Sequence, residues 1–92
     1  MKQLDIMQRV PAKIKDMPWS KIGEGYVLVD KEINKTYALD AVSFLVWLQC
    51  DGKTDLDKIV DVFTISGNDD IVKAAVSGIL DKLSHNGLIK WI

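Results

Sequence analysis

Few side chains in this sequence can do chemistry, and their spacing keeps them apart. There is one cysteine, Cys50, and one histidine, His85. Nucleophilic catalysis needs a base within hydrogen-bond reach of the nucleophile and a third group to orient it. No serine here has those partners in a turn context. Cys50 closes an apolar run, which predicts a small buried hydrophobe and not a reactive thiol. His85 stands just before Asn86-Gly87, at a helix end, and a single ligand does not make a metal site. Asp55, Asp57 and Asp61 fall at i, i+2 and i+6 on the polar side of one stretch, the pattern of a solvated helix face. Gly23-Glu24-Gly25 has two glycines but neither the strand before nor the helix after that a phosphate cradle requires. No CxxC, HExxH, P-loop or GxGxxG spacing occurs. The expectation is a protein that is not an enzyme, with no catalytic residues, no metal and no cofactor.

The elements that would position any site follow from pattern and composition. A chain of 92 residues with 48% hydrophobic and 27% charged residues reads as one ordinary globular domain, residues 1–92. The net charge of −1 gives no global attraction to nucleic acid or to an anionic membrane. An unpartnered cysteine fits a reducing cytoplasm. Residues 1–15 lack the apolar core of a signal peptide, and no run approaches the length of a membrane span. Val10–Lys15 alternates weakly, and Pro11 suits the start of a strand or an edge. Met17-Pro18-Trp19 reads as a break and Gly23–Gly25 as a loop. Tyr26–Val29 and Thr36–Leu39 are short β-favouring runs, predicted to form a hairpin across a polar loop that contains Asn34.

From Asp40 the period changes to that of a helix. Asp40 is a good N-cap for a helix over Ala41–Cys50 carrying Val42, Phe44, Leu45, Trp47 and Leu48. Asp51-Gly52 is read as its stop. Thr54 is read as the cap of a second helix with the stripe Leu56, Ile59, Val60 and Phe63. A third helix, about Asp69 to Asn86, is read as capped by Asp69 or Asp70 and ended by Asn86-Gly87. Leu88–Ile92 then forms a short last strand. The predicted architecture is α+β and winged helix-turn-helix-like: a small antiparallel N-terminal sheet, three helices and a short C-terminal strand.

Several of these stretches, in this order, resemble the PqqD-like family of precursor-peptide recognition elements. They are Gly25–Val29, Thr36–Asp40, Trp47–Thr54 with its aspartate-glycine turn, Ile59-Val60, Val76–Leu83 and Asn86–Ile89. The resemblance is good over residues 25–92 and loose over the first 24. Asp40 stands where the family has asparagine, and either side chain caps a helix. The resemblance implies a peptide chaperone that binds the leader segment of a ribosomally synthesised precursor. It implies an added antiparallel strand along Lys35, Thr36, Tyr37, Ala38 and Leu39. It also implies a groove wall drawn from some of Val72, Ala75, Val76, Ile79 and Leu80 of the third helix. The partner implied is a modifying enzyme, often a radical S-adenosylmethionine protein.

The apolar arc of the third helix runs about half-way round at about 100° per residue, wider than one core contact needs. Either margin, Ile71 with Ala75 or Leu80, is a candidate lining. The rival reading is a winged-helix DNA-binding regulator, whose third helix would enter the major groove. That helix carries Lys73 and Lys82 against Asp69, Asp70 and Asp81, the wrong sign for a surface facing one phosphate charge per ~1.7 Å. Residues 1–22 alone are mildly basic. Trp47 is read as core, and Trp19 as an exposed anchor for the enzyme or for a homodimer.

Overall fold

The computed structural model describes residues 9–65 and 67–92; Lys2 and Asp5 of the basic N-terminal stretch, and Ser66 between the second and third helices, lie outside them. The element order is β1 (Pro11–Lys13), β2 (Trp19–Ile22), β3 (Gly25–Asp30), β4 (Lys35–Asp40), α1 (Ala41–Gln49), α2 (Leu56–Phe63), α3 (Asp69–His85) and β5 (Ile89–Trp91). Strands β2, β3 and β4 form one antiparallel sheet in that order, and β1 pairs with β5 in a second. The α+β architecture expected from the sequence is the one observed.

Three details of the strands differ from expectation. The stretch read as a break holds β2, which pairs with β3 from Trp19↔Leu28 to Ile22↔Gly25. Gly23-Glu24 is a two-residue hairpin turn, with Gly23 at φ +63°, a conformation that glycine adopts without strain. The weakly alternating Val10–Lys15 does supply a strand, but β1 joins the distant β5, with Ala12 opposite Lys90. The hairpin of β3 and β4 is as predicted, and Asn34 takes the left-handed position of its turn, φ +55°.

The helix ends follow the chemistry of caps, with two reassignments. Asp40 caps α1 as expected, its carboxylate accepting from the Ser43 amide at 2.8 Å. The cap of α2 is Asp55 and not Thr54, with Asp55 accepting from the Lys58 amide at 2.9 Å. Thr54 is drawn instead into the turn built by Asp51, whose carboxylate accepts from the amides of Lys53 and Thr54 and from the Thr54 hydroxyl. Those amides hold the Asp51 carboxyl below its usual range. Neither Asp69 nor Asp70 caps α3. Asn68 occupies the cap position without a side-chain bond, and the two aspartates lie in the first turn, where the helix dipole favours them. Gly52 is not the terminator of α1: Cys50 is, through its backbone amide to Trp47. At the other end of α3, Gly87 at φ +76° donates to Ser84 and Leu88 donates to Leu83, the paired bonds of a glycine-stopped helix.

The core lies between the sheet and the helices. Leu28, Val46, Ile59 and Leu80 are fully buried and Trp47 nearly so, with Phe44, Val76, Leu83, Leu88 and Ile89 around them. Tyr26 stacks on Phe44 with ring centroids 3.9 Å apart, and Trp19 meets Phe44 edge-on at 4.8 Å. Aromatic contacts of this kind add to burial and fasten the sheet to α1. Trp19 is therefore only half free, at 49% exposure. Cys50 is buried, its sulfur donating to the Val46 carbonyl at 3.3 Å, and burial pushes its thiol up to about 12. It stays protonated near neutral pH, as a small hydrophobe would require. Lys13 donates to the Leu48 and Cys50 carbonyls, placing a cation at the α1 C-terminus.

Asp30, buried at the end of β3, pairs with Lys15 at 2.9 Å and accepts from the Glu32 amide; Lys15 also bonds Glu32. The Lys15 ammonium holds the Asp30 carboxyl below its usual range against the opposing effect of burial. A carboxyl lowered on folding contributes stability above its ordinary pKa and loses it as pH falls through the folded value. Urea unfolding followed from about pH 7 to pH 2 should show Asp30→Asn less stable at neutral pH and converging on the unaltered chain in acid. Parallel stability curves for the two chains would show that this pair contributes nothing.

Candidate functional site

Among the described residues the three-stranded sheet has two unpaired edges, β2 and β4, and they are unequal. The outer edge of β2 spans four exposed residues, begins after Pro18 and carries Lys21, features that discourage pairing with another chain. The edge of β4 is six residues long and passes into α1 without a loop. Its side chains alternate: Tyr37 and Leu39 are partly buried against the core, whereas Thr36, Ala38 and Asp40 face outward and are exposed.

A groove of about 820 Å³ lies at the α1 end of this edge. One wall is the junction of Asp40 with the first turn of α1, Ala41 to Ser43. The opposite wall is α3, through Ala74, Ala75, Gly78, Ile79 and Lys82. Glu24 and Gly25, at the turn between β2 and β3, close one end. The walls come together because Gly25 pairs with Asp40 across the sheet, and because α3 packs Val76 and Leu80 against the core on its other side.

The structure separates the residues singled out in the sequence. Ala75 and Ile79 line the groove. Val76 and Leu80 do not, being 3% and 0% exposed; they hold α3 to the core and offer no surface to a ligand. Of the two candidate margins, the lining is therefore not Leu80. Ile71 is 73% exposed and Val72 partly buried, and neither lines the groove. Of the edge residues, Lys35 to Leu39 lead to the groove, but only Asp40 of β4 borders it.

Ala74, Gly78 and Lys82 form a stripe at i, i+4 and i+8 that apolar periodicity does not reveal. A signal was present, because a glycine inside a helix costs about 0.5–1 kcal/mol relative to alanine. An added Cβ at Gly78 would meet nothing within 4 Å, so close packing does not explain the glycine. Of the three aspartates read as a solvated face, Asp55 caps α2, Asp57 pairs with Lys73 at 3.4 Å and Asp61 is exposed. Among the described residues no three His, Cys, Asp or Glu side chains stand close enough to hold a metal ion, and no helix is long and apolar enough to cross a membrane.

An α+β domain of winged-helix type, with one sheet edge open beside a helix-walled groove, is the class that these elements define. Residues 25–89 match the family described as coenzyme PQQ synthesis protein D (PqqD), and the chain belongs to that family. A solved structure described as TbiB1 in complex with the TbiA(beta) leader peptide has the same fold. Its TM-score is 0.66 at 20% identity, over 86% of this chain and 94% of that one. No curated protein matches.

Gly78→Ala should stabilise the fold by about 0.5–1 kcal/mol in urea unfolding, since it raises helix propensity with no clash. A destabilised variant would mean that the position is packed against something.

Proposed function

We propose that this chain binds the leader segment of a ribosomally synthesised precursor peptide as a strand added along β4, and presents it to a separate modifying enzyme. The observation that carries the reading is the coincidence of the longer free edge with the groove at its end. Edge amides and carbonyls supply affinity in strand addition, and pockets for alternate side chains supply selectivity. Family membership supports it, as does the leader peptide named in the description of the TbiB1 structure. The recognition residues in this reading are Thr36 to Leu39 on the edge, with Ala75 and Ile79 in the groove; Ala74 and Gly78 join them.

The ionisable groups that border the groove, Glu24, Asp40 and Lys82, are exposed, and this reading gives them no catalytic role. In this reading chemistry on the precursor belongs to a partner enzyme, by the family resemblance often a radical S-adenosylmethionine protein, and both work in the cytoplasm. DNA binding finds no support in the geometry. Lys73 is tied to Asp57, and α3 otherwise presents Asp69, Asp70 and Asp81 with Lys82, a poor match to a phosphate backbone.

The test is titration of the nitrogen-labelled protein with the leader of a precursor encoded beside it. Amide shifts are expected along Thr36–Leu39 and Ala74–Ile79. Shifts confined to other surfaces, or none at concentrations well above micromolar, overturn the reading. Ala75→Arg, an exposed substitution that fills the groove, should weaken binding about tenfold or more, the loss of about 1.4 kcal/mol, with Tm unchanged.

A further inference from the structure

The charges along the β4 edge are ordered, and the order bears on which peptide the edge accepts. At the α1 end the groove is bordered by Glu24 and Asp40, with Lys82 opposite them on α3. The Asp40 carboxylate also receives the Ser43 amide, so the positive end of α1 is already answered there. The balance at this end is −1. At the hairpin end stand Lys31 and Lys35, beside the cluster of Lys15, Asp30 and Glu32. Lys15 is bonded to both acids of that cluster. Lys35 lies over the Tyr37 ring at 5.1 Å, held along the strand. Among the described residues neither Lys31 nor Lys35 has an ion-pair partner, and the balance at this end is +1.

All the strand pairings in both sheets are antiparallel, and antiparallel ladders are slightly the more stable per residue. A strand added antiparallel to β4 runs from Asp40 towards Lys35, with its N-terminal end at the acidic groove and its C-terminal end at the hairpin, beside Lys35 and on the side where Lys31 also stands. We infer that β4 selects peptides by the order of their charges: basic residues before the apolar strand segment, acidic residues after it. The inference rests on the strand-addition reading and adds to it a preference set by Glu24 and Asp40 at one end and by Lys31 and Lys35 at the other. It also places the exit of the peptide, and so the continuation of the precursor, at the hairpin turn.

Two short synthetic peptides of one composition test it. Both carry the same alternating apolar centre, one with lysines before and glutamates after, the other with the flanks exchanged. Fluorescence anisotropy at low salt should show the first bound about fivefold more tightly, and the difference should shrink as salt screens the pairs. Lys31→Glu with Lys35→Glu should reverse the preference. Glu24→Gln with Asp40→Asn should reduce it, since asparagine keeps the helix cap. Should a double variant not fold, the salt dependence of the two peptides on the unaltered chain decides. Equal affinity for both orders, with amide shifts along β4, overturns the charge preference and leaves strand addition standing. If neither peptide binds and the native leader also leaves β4 unmoved, strand addition fails and the preference with it.

Discussion

Asp40 belongs to two elements at once, and the geometry of the groove depends on that. It is the last residue of β4, paired with Gly25, and the cap of α1, bonded to the Ser43 amide. With no loop between strand and helix, the direction of α1 is set by the direction of the edge. The close approach of Gly25 to this junction leaves little room for a side chain: an added Cβ would lie 3.1 Å from the Leu39 carbonyl oxygen, a contact the backbone would have to give way to by a few tenths of an ångström. A single carboxylate thus ends the ladder, starts the helix and borders the cavity between them. The aromatic contacts of Tyr26, Trp19 and Phe44 then fix the face of α1 that turns to the sheet.

The opposite wall depends on a division of labour within α3. Val76, Leu80 and Leu83 make the buried stripe and secure the helix. Ala74, Gly78 and Lys82 run beside that stripe and, with Ala75 and Ile79, face the groove. Packing explains the first set. It does not explain Gly78, which weakens the helix and relieves no contact, so its place in the groove wall is the physical role left to it.

Much of the fold was legible because local chemistry and tertiary structure agree. Asp40 followed by helical periodicity, Asn86-Gly87 as a stop, and the β3–β4 hairpin through Asn34 are all local signals. β2 was missed because Pro18 reads as a break and because its four residues are exposed, leaving no hydrophobic alternation to detect. Gly23-Glu24 between two β-favouring runs was the available clue. The β1–β5 pairing was not legible, since it joins opposite ends of the chain and nothing local encodes it. Thr54 misled because the preceding Asp51 captured its hydroxyl and left Asp55 to cap α2. The site was half legible. The expected wall mixed Val76 and Leu80, which the core takes, with Ala75 and Ile79, which line the groove, because apolar residues of either fate look alike in the sequence.

The division between edge and groove carries a consequence for selectivity. In an antiparallel ladder only alternate residues turn both amide and carbonyl to the open side, so half of the six residues of β4 can bond an added strand. Each such bond contributes about 0.5–1.5 kcal/mol net, while ordering the backbone of a bound peptide costs about 1–2 kcal/mol per residue. The two terms are of similar size, so the ladder alone holds a peptide weakly, whatever its sequence. Burial of apolar side chains, at about 25 cal/mol per Å², has to offset the difference, and the groove at Asp40 is where that burial is available. On the proposed reading, the edge would set the direction and register of a bound strand, and the groove would decide which strands stay.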